Sequence, residues 1–498
     1  MRFEHGATAR MMASKVDSPG DGLWILAFGA TTLVTVALRV AGLRSGLWYD
    51  EIATLVLSVR HPLGEILTEF PEVNQHPLYS VLAHASIGAF GESVWALRLP
   101  ACLFGIASVA MVFYFGVMFS TRVEAWAAAT VLATSYHHIW FSQNARGYTM
   151  LGFLVLLSTY SLLRALREGR PGDYVLYTIA GVTGVYTHLT MALVIAGHAI
   201  VVLVGRLTRG RAMLPQPLGP VMWAWAGVAG LSALAYAPFA RSLLAIAMAN
   251  EHQDEAQFAT AGWALSETTR SVVSGVGAPA ALVAGAFAAV GALSAWRLQP
   301  LVTALLLVPG VVTGLGVAAL GQPFRPRFFF FLSGAAALLV SRGIGVVVNA
   351  FASRARRDTP SWRTAGIVGC TLVLVAASAA ALVQNYQLPK QDFDGAVQYL
   401  AREESQGAAI TAASAACWPF EAFYGKTAWR CLEDDDDWRV LSTLRQRVLV
   451  AYTLSEYIQD ATLRERLRAD CPVVQRFRGS LSGGDIVVCE PGRSGSRP

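Results

Sequence analysis

Apolar stretches of about 20 residues recur along this chain between positions 22 and 383, each long enough to cross a hydrocarbon layer of ~30 Å as a helix. Inside lipid the backbone finds no water, so a crossing segment must satisfy its own hydrogen bonds. The apolar–polar alternation of a membrane strand is missing, which leaves helices. Candidate spans lie near 23–43, 98–119, 125–140, 148–166, 174–190, 190–206, 219–239, 273–295, 300–320, 328–350 and 365–383, about eleven in all. Composition agrees: 54% of the residues are hydrophobic and 14% charged, too little charge to clothe a soluble protein of 498 residues.

Residues 1–22 lack an apolar core followed by a small-residue cleavage site, so they are expected to form a cytoplasmic tail. Orientation follows from the basic loops. Arg122, the group at 164, 167 and 170, the group at 206, 209 and 211, Arg297 and the group at 354–363 fall on one side if the spans alternate, and that side is the cytoplasm. The modest basic excess therefore needs no nucleic acid. Residues 23–383 form the membrane domain. Within it, 44–97 is too long for a turn and too broken for a crossing, and reads as amphipathic helices lying in the outer interface. After position 383 the composition changes, with 16 of the 33 acidic residues in the last 115 positions. Residues 384–498 are expected to form a small water-soluble α/β domain on the outer side, with strands near 408–413, 447–452, 472–478 and 484–490. Four of its cysteines make an even set in an oxidising compartment. "CPVVQRFRGSLSGGDIVVCE" reads as a hairpin that sets Cys471 opposite Cys489, leaving Cys417 for Cys431. "EDDDDW" at 433–438 lacks the spaced ligands of a calcium loop and is expected to be a solvated loop.

The outward polar residues carry the chemistry. "LWYDEIATL" puts Asp50 and Glu51 side by side behind Trp48 and Tyr49, aromatic residues of the type that anchor at an interface. A carboxylate held at headgroup depth is partly desolvated and suited to act as a general base. Arg146, and the pair Arg325 and Arg327 in "PFRPRFFFF", sit at outer helix ends. There arginines either snorkel or bind phosphate, and the prolines at 323 and 326 favour the second reading for the pair. His76, His84, His137, His138 and His188 share this layer. The sequence identifies no metal site and no required cofactor; a divalent cation held by an Asp-Glu-His cluster stays open.

"LWYDEIATL", "NQHPLYSVLAH", "GESVWALRLPACLFG", "HHIWFSQNARGYTM", "GVYTHLTMAL", "PFRPRFFFFLSG" and "QLPKQDFDGAVQYL" come in the order of a known pattern. From roughly residue 40 to 400 the chain resembles the GT-C membrane glycosyltransferases, in the glycosyltransferase-39-like group related to protein O-mannosyltransferases and lipid A aminoarabinose transferases. The resemblance implies transfer of one sugar, mannose-like or another monosaccharide, from a polyprenyl-phosphate donor to a lipid, glycan or protein acceptor. The expected place is the outer face of a bacterial inner membrane. It implies Asp50 as catalytic base with Glu51 beside it, and His76 and Tyr79 near the donor. Arg146 and Tyr148 match the group's "EARxY" segment, His188 its "YTH", and Arg325 and Arg327 its "PRY". Asn144 stands where an acidic residue often precedes the alanine, and Phe328 where tyrosine is common. Rival expectations are a transporter or flippase, a ligase or polymerase of lipid-linked glycans, and a noncatalytic membrane partner. Against transport, the notable charges gather at one face instead of the midplane.

Overall fold

The computed structural model describes residues 21–72, 75–248, 261–322, 324–355, 359–442, 444, 446–481 and 483–492. The expected N-terminal tail up to residue 20, Pro323, and residues 249–260 of the outward segment after the seventh span lie outside them. The helices that matter for function are α1 (Asp21–Val40), α2 (Tyr49–Thr54), α3 (Pro77–Phe90), α4 (Val94–Phe119), α5 (Arg122–Thr134), α6 (Tyr136–Ser142), α7 (Tyr148–Glu168), α8 (Pro171–Thr187), α9 (Thr190–Met213), α10 (Gly219–Tyr236), α11 (Ala261–Val276), α12 (Ala278–Leu298), α13 (Pro300–Ala319), α14 (Ser333–Arg354) and α15 (Pro360–Gln387).

Among the described residues, eight helices are long and apolar enough to cross a membrane: α4, α7, α9, α10 with its extension to Ala245, α12, α13, α14 with the turn before it, and α15. All eleven expected spans are helical, yet three fall short of that standard. The apolar part of α1 runs only from Trp24 to Val40. α8 has 17 residues. The 125–140 stretch is broken in two at Ser135, whose hydroxyl accepts the His138 amide and starts α6 afresh.

Small residues let these helices touch closely, as lipid-embedded packing requires. A Cβ added to Gly291 of α12 would meet the Leu339 carbonyl, and one added to Gly343 of α14 would meet the Phe287 carbonyl. Beside that crossing, Arg342 of α14 pairs at 3.1 Å with Glu124 of α5. Between α1 and α4, where interfacial helices are expected, the chain forms α2, a π-helical turn Leu55–Val59, a short helix Leu63–Ile66, and α3.

The C-terminal domain opens with α16 (Phe393–Ser405) and builds one five-stranded sheet of β1 (Ala409–Ser414), β2 (Arg430–Leu432), β3 (Val448–Thr453), β4 (Val473–Phe477) and β5 (Ile486–Cys489), in the order β2-β1-β3-β5-β4. β1 runs parallel to both β2 and β3; β5 is antiparallel to β3 and β4. Between the strands lie α17 (Cys417–Ala422), α18 (Asp435–Ser442) and α19 (Ala461–Ala469). The strand β2 was not expected; three residues are too few to show periodicity. The acidic run 433–438, expected as a loop, is one only at Glu433 and Asp434; from Asp435 on it supplies the first turn of α18. Asp435, Asp436 and Asp437 there meet the positive end of the helix dipole, which outweighs their poor intrinsic propensity. Cys417 is bonded to Cys431 and Cys471 to Cys489. Each closes a loop worth about 3 kcal/mol in the chain-entropy model.

Candidate active site

The site is built outward from Arg98. A guanidinium inside an apolar helix must find partners for every donor, and Arg98 finds them in the loop that enters α2. It donates to the carbonyls of Leu43 (3.1 Å), Ser45 (2.7 Å) and Gly46 (3.0 Å), to Ser45 Oγ (3.0 Å), and to both oxygens of Glu51, at 2.7 Å and 2.6 Å. Glu51 is fully buried. Its carboxylate also accepts the amide of Ala145 at 2.7 Å, and Lys390 Nζ lies 4.0 Å away. Burial works to raise the Glu51 pKa. The charges of Arg98 and Lys390, and the hydrogen bonds from Arg98 and Ala145, outweigh it and hold the group below its ordinary range. Glu51 thus ties α2 to the 144–146 turn.

Asp50, one residue earlier on α2, points elsewhere. Its Oδ2 accepts from Arg327 at 3.2 Å, with the two side chains 15% and 25% exposed. This pair is open enough to be reached and dry enough to matter. Beneath it, the buried Arg146 donates to Thr54 Oγ1 at 3.1 Å and approaches Glu72 at 3.5 Å. A ring cluster adjoins them: His76 lies 4.9 Å from Tyr148 and 5.0 Å from His188, and Phe328 lies 5.8 Å from His188. Gly147 makes this possible, since a Cβ there would come within 2.8 Å of Thr187 and 3.0 Å of the His76 ring. Burial first, then the charges of Arg146 and Arg327, push His188 down to about 3; burial and Arg146 also lower His76 well below its usual value. Both imidazoles are neutral at physiological pH and add polar atoms without adding charge. The Tyr148 hydroxyl and the Gln75 side-chain amide are buried without hydrogen-bond partners among the described residues.

Six of the nine expected site residues therefore converge: Asp50, Arg327, Arg146, His76, Tyr148 and His188. Glu51 stands behind them. Tyr79 and Arg325 are placed apart. The Tyr79 hydroxyl is turned to the Leu97 carbonyl at 2.7 Å. Arg325 does not join Arg327 but reaches across to the C-terminal domain, donating to the Tyr457 hydroxyl at 2.9 Å. Of the other histidines that the sequence singles out, His84 binds the Val59 carbonyl at 2.9 Å and His138 sits 2.7 Å from Arg39. Among the described residues no group of three or more His, Cys, Asp or Glu is arranged to hold a metal.

Sequence reasoning missed Arg98, Lys390 and Gln391. Arg98 carried a signal, a lone charge inside an apolar helix. Lys390 and Gln391 lie in "QLPKQDF", a stretch that joins the resemblance without giving either residue a role: the Gln391 amide bridges Tyr49 N (2.9 Å) and Thr453 Oγ1 (3.0 Å), a contact spanning 342 positions on one side and 62 on the other.

The family model of dolichyl-phosphate-mannose-protein mannosyltransferases matches residues 74–240. No curated protein sequence is detectably similar to the chain. Among solved structures, ArnT from Cupriavidus metallidurans, determined both in the apo state and bound to undecaprenyl phosphate, superposes with a TM-score of 0.53 at 11% identity, over 97% of this chain and 100% of that one. The archaeal oligosaccharyltransferase AglB from Archaeoglobus fulgidus, in complex with an inhibitory peptide and a dolichol-phosphate, superposes with a TM-score of 0.57 at 12% identity, over 97% of this chain and 75% of that one. The chain therefore shares its fold with ArnT and AglB, and its residues 74–240 match the mannosyltransferase family model.

Proposed function

We propose that the chain transfers a single sugar from a polyprenyl-phosphate donor to a hydroxyl of a lipid, glycan or protein acceptor, at the outer face of a bacterial inner membrane. The observation that carries this reading is the 3.2 Å pair of Asp50 and Arg327, with neutral His76 and His188 beside it. ArnT with undecaprenyl phosphate and AglB with dolichol-phosphate support the class of donor.

The pair suggests an exchange. Arg327 meets the donor phosphate and leaves Asp50, which becomes free to take the acceptor proton. The acceptor oxygen then bonds to the anomeric carbon as the bond from that carbon to the phosphate oxygen breaks. The electron pair leaves on the polyprenyl phosphate, where Arg327 and Arg146 offset its charge. In-line attack inverts the anomeric centre. Glu51, locked by Arg98, positions α2 and takes no proton itself. His76, Tyr148 and His188 supply neutral polar atoms to the sugar.

The test compares wild type and Asp50→Asn, purified in detergent and given polyprenyl-phosphate sugars. Wild type should release or transfer sugar, and the variant should lose at least about a hundredfold of that rate, the usual contribution of a positioned base. Equal rates would remove Asp50 from the reaction.

A further inference from the structure

Away from the ion pair a cleft of about 370 Å³, open to solvent on one side, runs between the membrane and soluble domains. Its walls include Tyr136, His137, Trp140 and Phe141 of α6, Glu267 and Arg270 of α11, Gln384 near the end of α15, and Ser480 in the β4–β5 turn. The volume lies in the range of small-molecule sites. Three lining features narrow the ligand. The α6 residues present flat aromatic surface on one side. Glu267 and Arg270 are paired at 3.2 Å, so the cavity offers an acceptor and a donor of balanced charge where a phosphate would need a cation in excess. The Ser480 hydroxyl is buried with no hydrogen-bond partner among the described residues. Leaving such a group unmet costs ~1–3 kcal/mol, which a ligand hydroxyl would recover. An acyl tail would leave the Ser480 hydroxyl unmet, and a polyanion would meet Glu267. A neutral polyhydroxylated ring, with one apolar face and many hydroxyls, satisfies both kinds of wall.

The cavity is one aromatic layer from the chemistry. Phe141 lies 5.1 Å from Tyr148 and 4.3 Å from Phe330, and Trp140 lies 5.7 Å from Trp48, two residues before Asp50. Building on the transferase reading above, we infer that this cavity is a second sugar subsite, which holds a neighbouring residue of a glycan acceptor while the reactive hydroxyl reaches Asp50. The acceptor is then a carbohydrate of at least two residues, or a glycolipid bearing one.

Two measurements test it on the full chain in detergent. Saturation-transfer NMR with maltose, cellobiose, mannobiose and chitobiose reads binding without turnover: at least one disaccharide should bind wild type, and Ser480→Phe, which fills the cavity, should abolish the signal. Gln384→Ala, a milder change on another element, should weaken it. In a transfer assay with polyprenyl-phosphate sugar, Ser480→Phe should raise the KM for the disaccharide acceptor relative to its monosaccharide about tenfold, equal to about 1.4 kcal/mol. A rise confined to the donor KM would assign the cavity to the donor sugar and overturn the acceptor assignment. No disaccharide signal, or an undiminished signal in Ser480→Phe, would overturn the subsite while leaving Asp50-dependent donor turnover as it was. Disaccharide binding by a chain that never turns over donor would instead sink the transferase reading.

Discussion

At the scale of single residues, the adjacent carboxylates Asp50 and Glu51 divide the labour. Asp50 faces a partly exposed arginine, whereas Glu51 is sealed against Arg98. Breaking a buried pair from one side leaves a charge with no compensation, a cost of ~3–5 kcal/mol. Arg98→Met should therefore lose most folded protein, read as yield and melting temperature after detergent extraction. Glu51→Gln keeps the shape and removes the charge, so it should fold better than Arg98→Met yet turn over donor slowly, because α2 loses its tie to the 144–146 turn. A Glu51→Gln enzyme with unaltered turnover would argue against that tie. The sequence singled out the acidic pair, since two carboxylates behind Trp48 and Tyr49 at an expected membrane edge are costly to keep idle. It could not say which was which. That depends on Arg98, 47 positions away from Glu51, and on Arg327, 277 away from Asp50.

At the scale of elements, apolar length made eight of the eleven expected spans legible to within a few residues, because every crossing takes about the same number of apolar residues. Breaks were harder to read. Ser135 ends one helix and caps the next through a single hydroxyl contact, which no window of hydropathy detects. The close crossing of α12 and α14 was equally silent, since glycine is common in these segments and only some glycines face a neighbour. Gly343 does: its virtual Cβ falls on the backbone of Phe287, and backbone cannot rotate away as a side chain can. Gly343→Leu should force the two helices apart and drag Arg342 from Glu124, lowering the melting temperature and the extractable yield. The same substitution at Gly285, where a Cβ meets nothing within 4 Å, is the control and should leave both unchanged. Equal damage at the two positions would mean that bulk in the membrane, not this crossing, sets the cost.

At the scale of the whole molecule, the soluble domain grips the loop that carries Asp50 and Glu51. In an open sheet with parallel strands, the crevice at their carboxyl ends, where neighbouring connections diverge, is the usual ligand place. Here β1 and β3 form that edge, and Gln391 runs from Thr453 at the end of β3 to the Tyr49 amide, while Trp418 after β1 lies 5.8 Å from the Tyr49 ring. Lys390, next to Gln391, is buried at the same junction, donating to the Gln143 carbonyl and lying 5.2 Å over the Trp140 ring. Burial, reinforced by Arg98 and opposed by Glu51, pushes its pKa from 10.5 down to about 7. The unfolded chain keeps this proton up to about pH 10.5, whereas the folded one sheds it above about 7. Between those values the unfolded state binds more protons, so folding is favoured increasingly as pH rises, by at most about 1.4 kcal/mol per pH unit. Below pH 7 both states are protonated and the slope from this group vanishes. Melting temperature measured from pH 6 to 9 should climb above neutrality in the wild type, and Lys390→Met should flatten that climb while raising stability at the low end, where the buried charge is gone. A parallel climb in both proteins would show that Lys390 is solvated, and that the domains meet more loosely than a sealed ammonium requires.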